Sequence, residues 1–239
     1  IRRSDTHFAR MILNGTFTQS TGNTNFDKVT LNGTYNVQGG NLTLGSGVTT
    51  LNGTLNYAGG VIGGSGGATL ALSAGDMLNV TGGTKEFSGS LLQNGGTINL
   101  NLASGNSFQL SNGGTLANTG TINFNDNVSI AARSGFGPGN FNNAGGTLVV
   151  AAGKTGSVTV ENTSFSGSSI FDTSAAGSQL ALAPISSASY SGTLNALGTG
   201  VSFANGGATH NLPGSTPNGN FTQSTGNTSF DTVMLNGSY

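Results

Sequence analysis

The sequence predicts an all-β fold, a parallel β-helix or β-solenoid with coils of about 18–26 residues. Three observations predict it. Apolar and polar residues alternate over short runs. A Gly/Asn-Thr phrase recurs at coil-length intervals. The composition is rich in turn-forming residues and poor in charge.

Composition sets the frame. Of 239 residues, 42 are Gly, 34% are hydrophobic and only 6% are charged. Disordered chains are usually rich in charge and Pro. This chain has four Pro and 13 Phe, and its Val, Ile and Leu fall in alternating runs that can bury a face. A net charge of −1 offers no basic stripe for a phosphate backbone, so nucleic acid is not an expected partner. Cys is absent, which excludes disulfides and thiolate metal sites. No apolar run approaches the roughly 18 residues of a membrane span, and the opening "IRRSDTHFARM" lacks the apolar core of a signal peptide.

Taken in chain order, residues 1–12 form a distinct start, with Arg2, Arg3 and Arg10 and no Gly. They are expected either to cap the first coil or to belong to something outside the solenoid. From residue 13 the phrase begins: Asn14-Gly15-Thr16-Phe17, Asn32-Gly33-Thr34-Tyr35 and Asn52-Gly53-Thr54-Leu55. Related phrases follow at Thr69, Thr97, Thr115, Thr121, Thr147 and Thr193. Uneven spacing near 20 residues is what coils with variable loops produce.

Between the phrases the period is two. "KVTLNGTYNV" sets Val29, Leu31, Gly33, Tyr35 and Val37 against Lys28, Thr30, Asn32, Thr34 and Asn36. "GTINLNLAS" alternates Ile98, Leu100 and Leu102 with Asn99 and Asn101, and "GSVTVEN" does so with Val158 and Val160. That is the signal of half-buried strands. "ATLALSAGDML" is too short and too rich in Gly and Ser to propagate a helix. Asn-Gly is a strong hairpin signal, but here it lies inside alternating runs, so stacked coils are expected instead. Such a stack places Asn over Asn and Thr over Thr. It predicts about 10 to 13 coils and a rod of about 50 to 60 Å.

A longer repeat encloses the short one. Phe17 to Tyr35, "FTQSTGNTNFDKVTLNGTY", returns as Phe221 to Tyr239 with 15 of 19 positions identical and an offset of 204 residues. Thr6-His7 is echoed by Thr209-His210, and the Pro213 and Pro217 region reads as a loop or linker. The expected organisation is therefore 1–12 as a cap or upstream element, 13–212 as one solenoid unit, and 213–239 as a linker and the start of the next unit. The chain is expected to be a piece of a tandemly repeated protein.

Candidate chemistry is sparse. His7 and His210 read as isolated polar residues at unit boundaries. Gly63-Gly64-Ser65-Gly66-Gly67 matches G-x-S-x-G by composition alone. The acids Asp5, Asp27, Asp76, Glu86, Asp126, Glu161, Asp172 and Asp231 form no local pair. Asn123 to Asn127 offers oxygen ligands but reads as a turn, lacking the glycine and terminal Glu of a calcium loop. Asn-x-Ser/Thr triplets at Asn32, Asn52, Asn79 and Asn236 are expected by chance in such a composition. Phe17, Phe26, Tyr35, Phe221, Phe230 and Tyr239 are expected in the core. No catalytic, metal or cofactor-binding residue is assigned, and the chain is not expected to be an enzyme.

"NGGTLANTGTINF" (112–124) and "FNNAGGTLVVAAG" (141–153) resemble the repeats of filamentous-haemagglutinin-like and autotransporter-type β-solenoid proteins of bacteria. The resemblance covers most of the chain from about Leu13 onward. It implies a right-handed β-helix, secretion to the bacterial cell surface, and a role in adhesion, biofilm or surface filaments. The expected function is a structural and adhesive extracellular rod, its partners being further copies stacked head to tail and surface glycans or host matrix. The alternatives are a carbohydrate-binding or polysaccharide-cleaving β-helix, with Asp27 and Lys28 beside a neighbouring coil, and an ice-binding solenoid with regular Thr rows.

Overall fold

Gly33 lies directly over Gly15, and Gly53 over Gly33, at a corner where each coil bends without breaking its strand. Both overlying glycines have positive φ, +122° and +146°, and a Cβ at either would fall 2.4 or 2.2 Å from the carbonyl oxygen below. Glycine is the one residue that fits this corner column. The corners are thus bends within parallel strands, as the alternation predicts, and not hairpins.

The computed structural model describes residues 5–204 and 207–239. The protein is all-β, with parallel strands stacked in a solenoid of about 10 turns. Strands β1 (Thr6–Ala9), β2 (Ile12–Gln19), β3 (Asn23–Asp27), β4 (Thr30–Val37), β5 (Asn41–Leu44), β6 (Gly47–Tyr57), β7 (Val61–Gly64), β8 (Ala68–Leu72) and β9 (Met77–Gly82) build the first coils. Each coil has three sides. The first half of β4 and of β6 lies on a first face and the second half on a second, whereas β3, β5 and β7 form a third. Partners one coil apart are separated by 18 residues at Asn14 and Asn32, and by 25 at Asn118 and Asn143.

After β6 the corner opens. β8 pairs with residues 47–51 of β6 and β9 with residues 54–57, so one bent strand becomes two separated by a loop. Asp76 closes the gap. Its carboxylate accepts the Gly53 N–H at 2.8 Å and the Ser73 N–H at 2.7 Å. From there all three faces run on to the far end of the chain.

Inward residues form one continuous core. Val29, Leu31, Tyr35 and Val37 are buried, as are Ile98, Leu100, Leu102, Val158 and Val160. The expected Asn ladders are present outside. Each Nδ2 of Asn56, Asn79, Asn99 and Asn123 donates to the Oδ1 of the Asn one coil earlier, at 2.8 to 2.9 Å. A second ladder lies inside, and alternation did not foretell it. Asn94, Asn118 and Asn143 are fully buried and bonded to one another at 2.6 Å.

The stretch expected as a loop near Pro213 and Pro217 pairs as strands instead. His210–Pro213 joins the first face, and Thr216–Gln223 passes from the second face to the third. Pro217 is buried opposite Leu194. The fixed φ of proline is compatible with extended backbone and removes one ladder donor.

The 204-residue repeat does not return to the same side of the solenoid. β3 lies on the third face, but its counterpart Thr228–Asp231 pairs with His210–Pro213 on the first. The corner Asn14-Gly15 joins the first face to the second, whereas Asn218-Gly219 joins the second to the third. Nine pairing steps along the first face lead from residues 12–13 to 210–213, and one further side reaches Asn218. One repeat therefore advances nine and a third turns.

Two expectations change with this register. The structural counterpart of His210 is Thr6, since they pair with the equivalent residues Thr228 and Thr24. The Thr6-His7 echo is thus one residue out of step. Phe26, Tyr35 and Phe221 are buried as expected, but Phe230 and Tyr239 are 44% and 40% exposed, and Phe17 is half-buried. Phe17 lies on the first described coils and Phe230 and Tyr239 on the last.

Candidate functional site

Charge is scarce here, so places where charged groups meet are few. The clearest lies on the third face. Glu86, in Lys85–Ser88, has its carboxylate between Arg133 and Ser111, two coils and one coil further on. Arg133 Nη1 donates to Glu86 Oε2, and Ser111 Oγ donates to Oε1 at 2.6 Å. Burial pushes the Glu86 carboxyl up, but these hydrogen bonds and the guanidinium charge outweigh it and hold the group below its ordinary value. The guanidinium carbon sits 3.6 Å from the centre of the Phe136 ring, a cation–π contact.

Glu86, Arg133 and Phe136 border a shallow groove of about 520 Å³ that also touches Asn41, Ser88 and Asn112. Phe136 is 45% exposed on the turn that follows Arg133. An exposed ring, a fixed ion pair and amides along an extended face can hydrogen-bond a polar ligand and stack on its apolar side. Nothing local in the sequence marks this cluster. Glu86 and Arg133 are 47 residues apart, and only the sum of two coil lengths brings them together.

The residues singled out from sequence are placed differently. His7 is exposed on β1. His210 is fully buried with partners on both ring nitrogens, so it is not the isolated polar residue expected. Its Nε2 faces the Ala204 carbonyl at 3.0 Å and its Nδ1 the Tyr190 hydroxyl at 2.8 Å. Asp126 pairs with Lys154 at 2.9 Å, while Asn123 and Asn125 donate to Asn99 and Asn101 in the outer ladders. The Asn123 to Asn127 amides are thus engaged in stacking. Among the described residues neither Asp27 nor Lys28 forms an ion pair, and the Lys28 stem lies over Gly47. Gly63 to Gly67 spans the end of β7 and a turn. The Thr column of Thr16, Thr34 and Thr54 is interrupted by Met77 before Thr97, Thr121 and Thr147 resume it.

Among the described residues, no group of three or more His, Cys, Asp or Glu could hold a metal ion, and no helix is long and apolar enough to cross a membrane. No family model, curated protein or solved structure matches this chain.

Proposed function

We propose that the chain is a structural segment of an extracellular adhesive fibre on a bacterial surface, a rod whose coils continue into further units of the same kind. One observation carries this reading. The stack runs from β1 to Asn236–Ser238 without a break in pairing, and its last coil repeats the sequence and the Asn stacking of its first. A rod closed by backbone hydrogen bonds and a dry core suits a stalk that has no disulfides. Small-angle scattering tests the shape: about 10 coils at about 4.8 Å give a rod about 50 Å long. A globular scattering profile overturns the reading. Binding of the chain to matrix-coated surfaces tests the adhesive part.

The Glu86–Arg133–Phe136 groove favours a second reading, a glycan-binding face on the same rod. A glycan array probed with the wild type and with Phe136→Ala discriminates the two. Binding that is lost in Phe136→Ala supports the groove. Binding that is absent, or unaffected by the substitution, leaves the rod reading alone.

A further inference from the structure

Among the described residues, three buried side-chain polar atoms lack a hydrogen-bond partner: Asn25 Oδ1, Asp27 Oδ1 and Thr163 Oγ1. Two of the three belong to β3 and stand two residues apart. Thr24 and Phe26 point into the core, so Asn25 and Asp27 share the outer side of the third face. A buried oxygen without a donor costs free energy, and a carboxylate oxygen costs more than a neutral one. Outward amides such as Asn32, Asn56 and Asn99 avoid that cost, since the ladders bond them at 2.8 to 3.0 Å. Two bare acceptors side by side call for a donor or a cation.

The neighbouring strand brings a third group. In the register of β1 on β3, His7 pairs with Asn25 and Ala9 with Asp27. His7 is exposed, so its ring stands on the same outer side, one strand spacing of about 4.8 Å from Asn25. Asn25 and Asp27 are about 7 Å apart along their strand. Three positions so arranged form a triangle whose side chains can meet at one point above the sheet. Gly45, which follows Asp27 in its column, leaves room there. A Cβ at Gly45 would fall 3.0 Å from the Asp27 Cβ and 3.2 Å from its Oδ1. The cations at the corner beyond are directed elsewhere or free in solvent: the Lys28 stem leans over Gly47, and Arg10 is exposed. Asp5, exposed two residues before His7, adds negative charge.

The second copy of the 19-residue phrase presents the same places with other groups. Asn211, Ser229 and Asp231 stand where His7, Asn25 and Asp27 stand in the first. Imidazole and amide are replaced together, by an amide and a hydroxyl. The carboxylate remains, but Asp231 Oδ1 accepts from Thr232 Oγ1 at 3.1 Å. In the first copy Lys28 takes the place of that threonine, and the Asp27 oxygen is left bare. The orphaned oxygens and the imidazole therefore occur together, in one copy of the phrase.

We propose that His7, Asn25 and Asp27 form a site for a divalent transition-metal ion, held by the imidazole, the amide oxygen and the carboxylate. One nitrogen and two oxygens suit zinc or nickel, whereas calcium takes six or more oxygens. The ion gives both bare oxygens a partner and ties β1 to β3 across one coil step. It is a clasp that needs no cysteine, in a chain that has none.

Calorimetric titration of the untagged chain with zinc tests it. One ion per chain should bind with micromolar affinity, and zinc should raise the melting temperature. His7→Asn and Asn25→Ser copy what the second phrase carries at these places, so the coil already accommodates such side chains. Each should weaken zinc binding at least tenfold, as should Asp27→Asn, with metal-free circular dichroism unchanged. Cobalt gives a readout apart from stability: the visible absorption of the bound ion should appear in the wild type and vanish in His7→Asn. A wild type that binds no zinc at millimolar concentration overturns the site. Zinc binding undiminished in any of the three variants places the ion elsewhere and overturns it equally. Tighter binding of calcium than of zinc overturns the role given to His7.

Discussion

The Tyr190 hydroxyl donates to His210 Nδ1 across 2.8 Å inside the core, and His210 Nε2–H donates to the Ala204 carbonyl at 3.0 Å. A carbonyl can only accept, so Nε2 carries the proton of the neutral ring and Nδ1 is left to accept from tyrosine. Neutral imidazole satisfies every partner; imidazolium does not.

The first prediction follows from that pair. Burial lowers the His210 pKa, and the Ala204 hydrogen bond opposes this only in part. The folded value therefore lies below the unfolded one of about 6.5. Stability from this site is complete above the unfolded value and is lost as pH falls through it toward the folded value. The melting temperature should drop between pH 7.5 and pH 5, and His210→Gln should flatten that drop. An equal drop in the variant would show that other groups carry it.

The interior Asn ladder gives the second. Asn118 donates to Asn143 and accepts from Asn94, with all three side chains fully buried. Asn118→Leu strands the buried Asn94 Nδ2 donor below it and the buried Asn143 Oδ1 acceptor above it. It should cost about 2–6 kcal/mol in chemical denaturation, at roughly 1–3 kcal/mol for each unsatisfied group. Asn52→Ala, on the exposed ladder, should cost less than about 1 kcal/mol, because water replaces the lost bond. Equal losses at the two sites would refute this account of the inner ladder.

Much of the fold was legible because its cause is local. Period-two alternation names Val29, Leu31, Tyr35 and Val37 as inward, and the Asn-Gly phrase marks the corners. Stacking of like on like follows from a parallel register. The inner Asn ladder was not legible, because Asn94 and Asn118 occupy inward positions that alternation assigns to apolar side chains. Only their mutual stacking makes them tolerable there. The rotation of the long repeat and the meeting of Glu86 with Arg133 depend on summed coil lengths. Loops such as Ser73 to Asp76 set those lengths, and nothing in an individual strand reports them.

Asp76 supplies the third prediction. Its carboxylate binds the N–H groups of Gly53 and Ser73 where one bent strand gives way to two. Charge-assisted bonds to backbone donors are among the stronger ones. Asp76→Ala should lower stability by about 2–3 kcal/mol. The loss should also be local. Hydrogen exchange at the Gly53 and Ser73 amides should quicken far more than at Ile98 or Leu100. Uniform acceleration along the chain would show that the carboxylate stabilises the fold globally and does not pin this corner.

The glycine column separates conformational strain from steric exclusion, and so gives the fourth. Gly53 and Gly105 both have positive φ, +146° and +82°. At Gly105 an added Cβ meets nothing within 4 Å, whereas at Gly53 it falls 2.2 Å from the Gly33 oxygen. Gly105→Ala therefore bears only the strain of a side chain in that conformation, about 1–2 kcal/mol. Gly53→Ala bears strain as well and must also push two stacked strands apart at a corner whose hydrogen bonds fix their spacing. Its cost should exceed about 3 kcal/mol, in the range kept for disrupted cores. The comparison is read from paired denaturation curves. If Gly105→Ala were as damaging as Gly53→Ala, backbone conformation alone would explain the glycines, and the close approach of successive coils would not be what selects them.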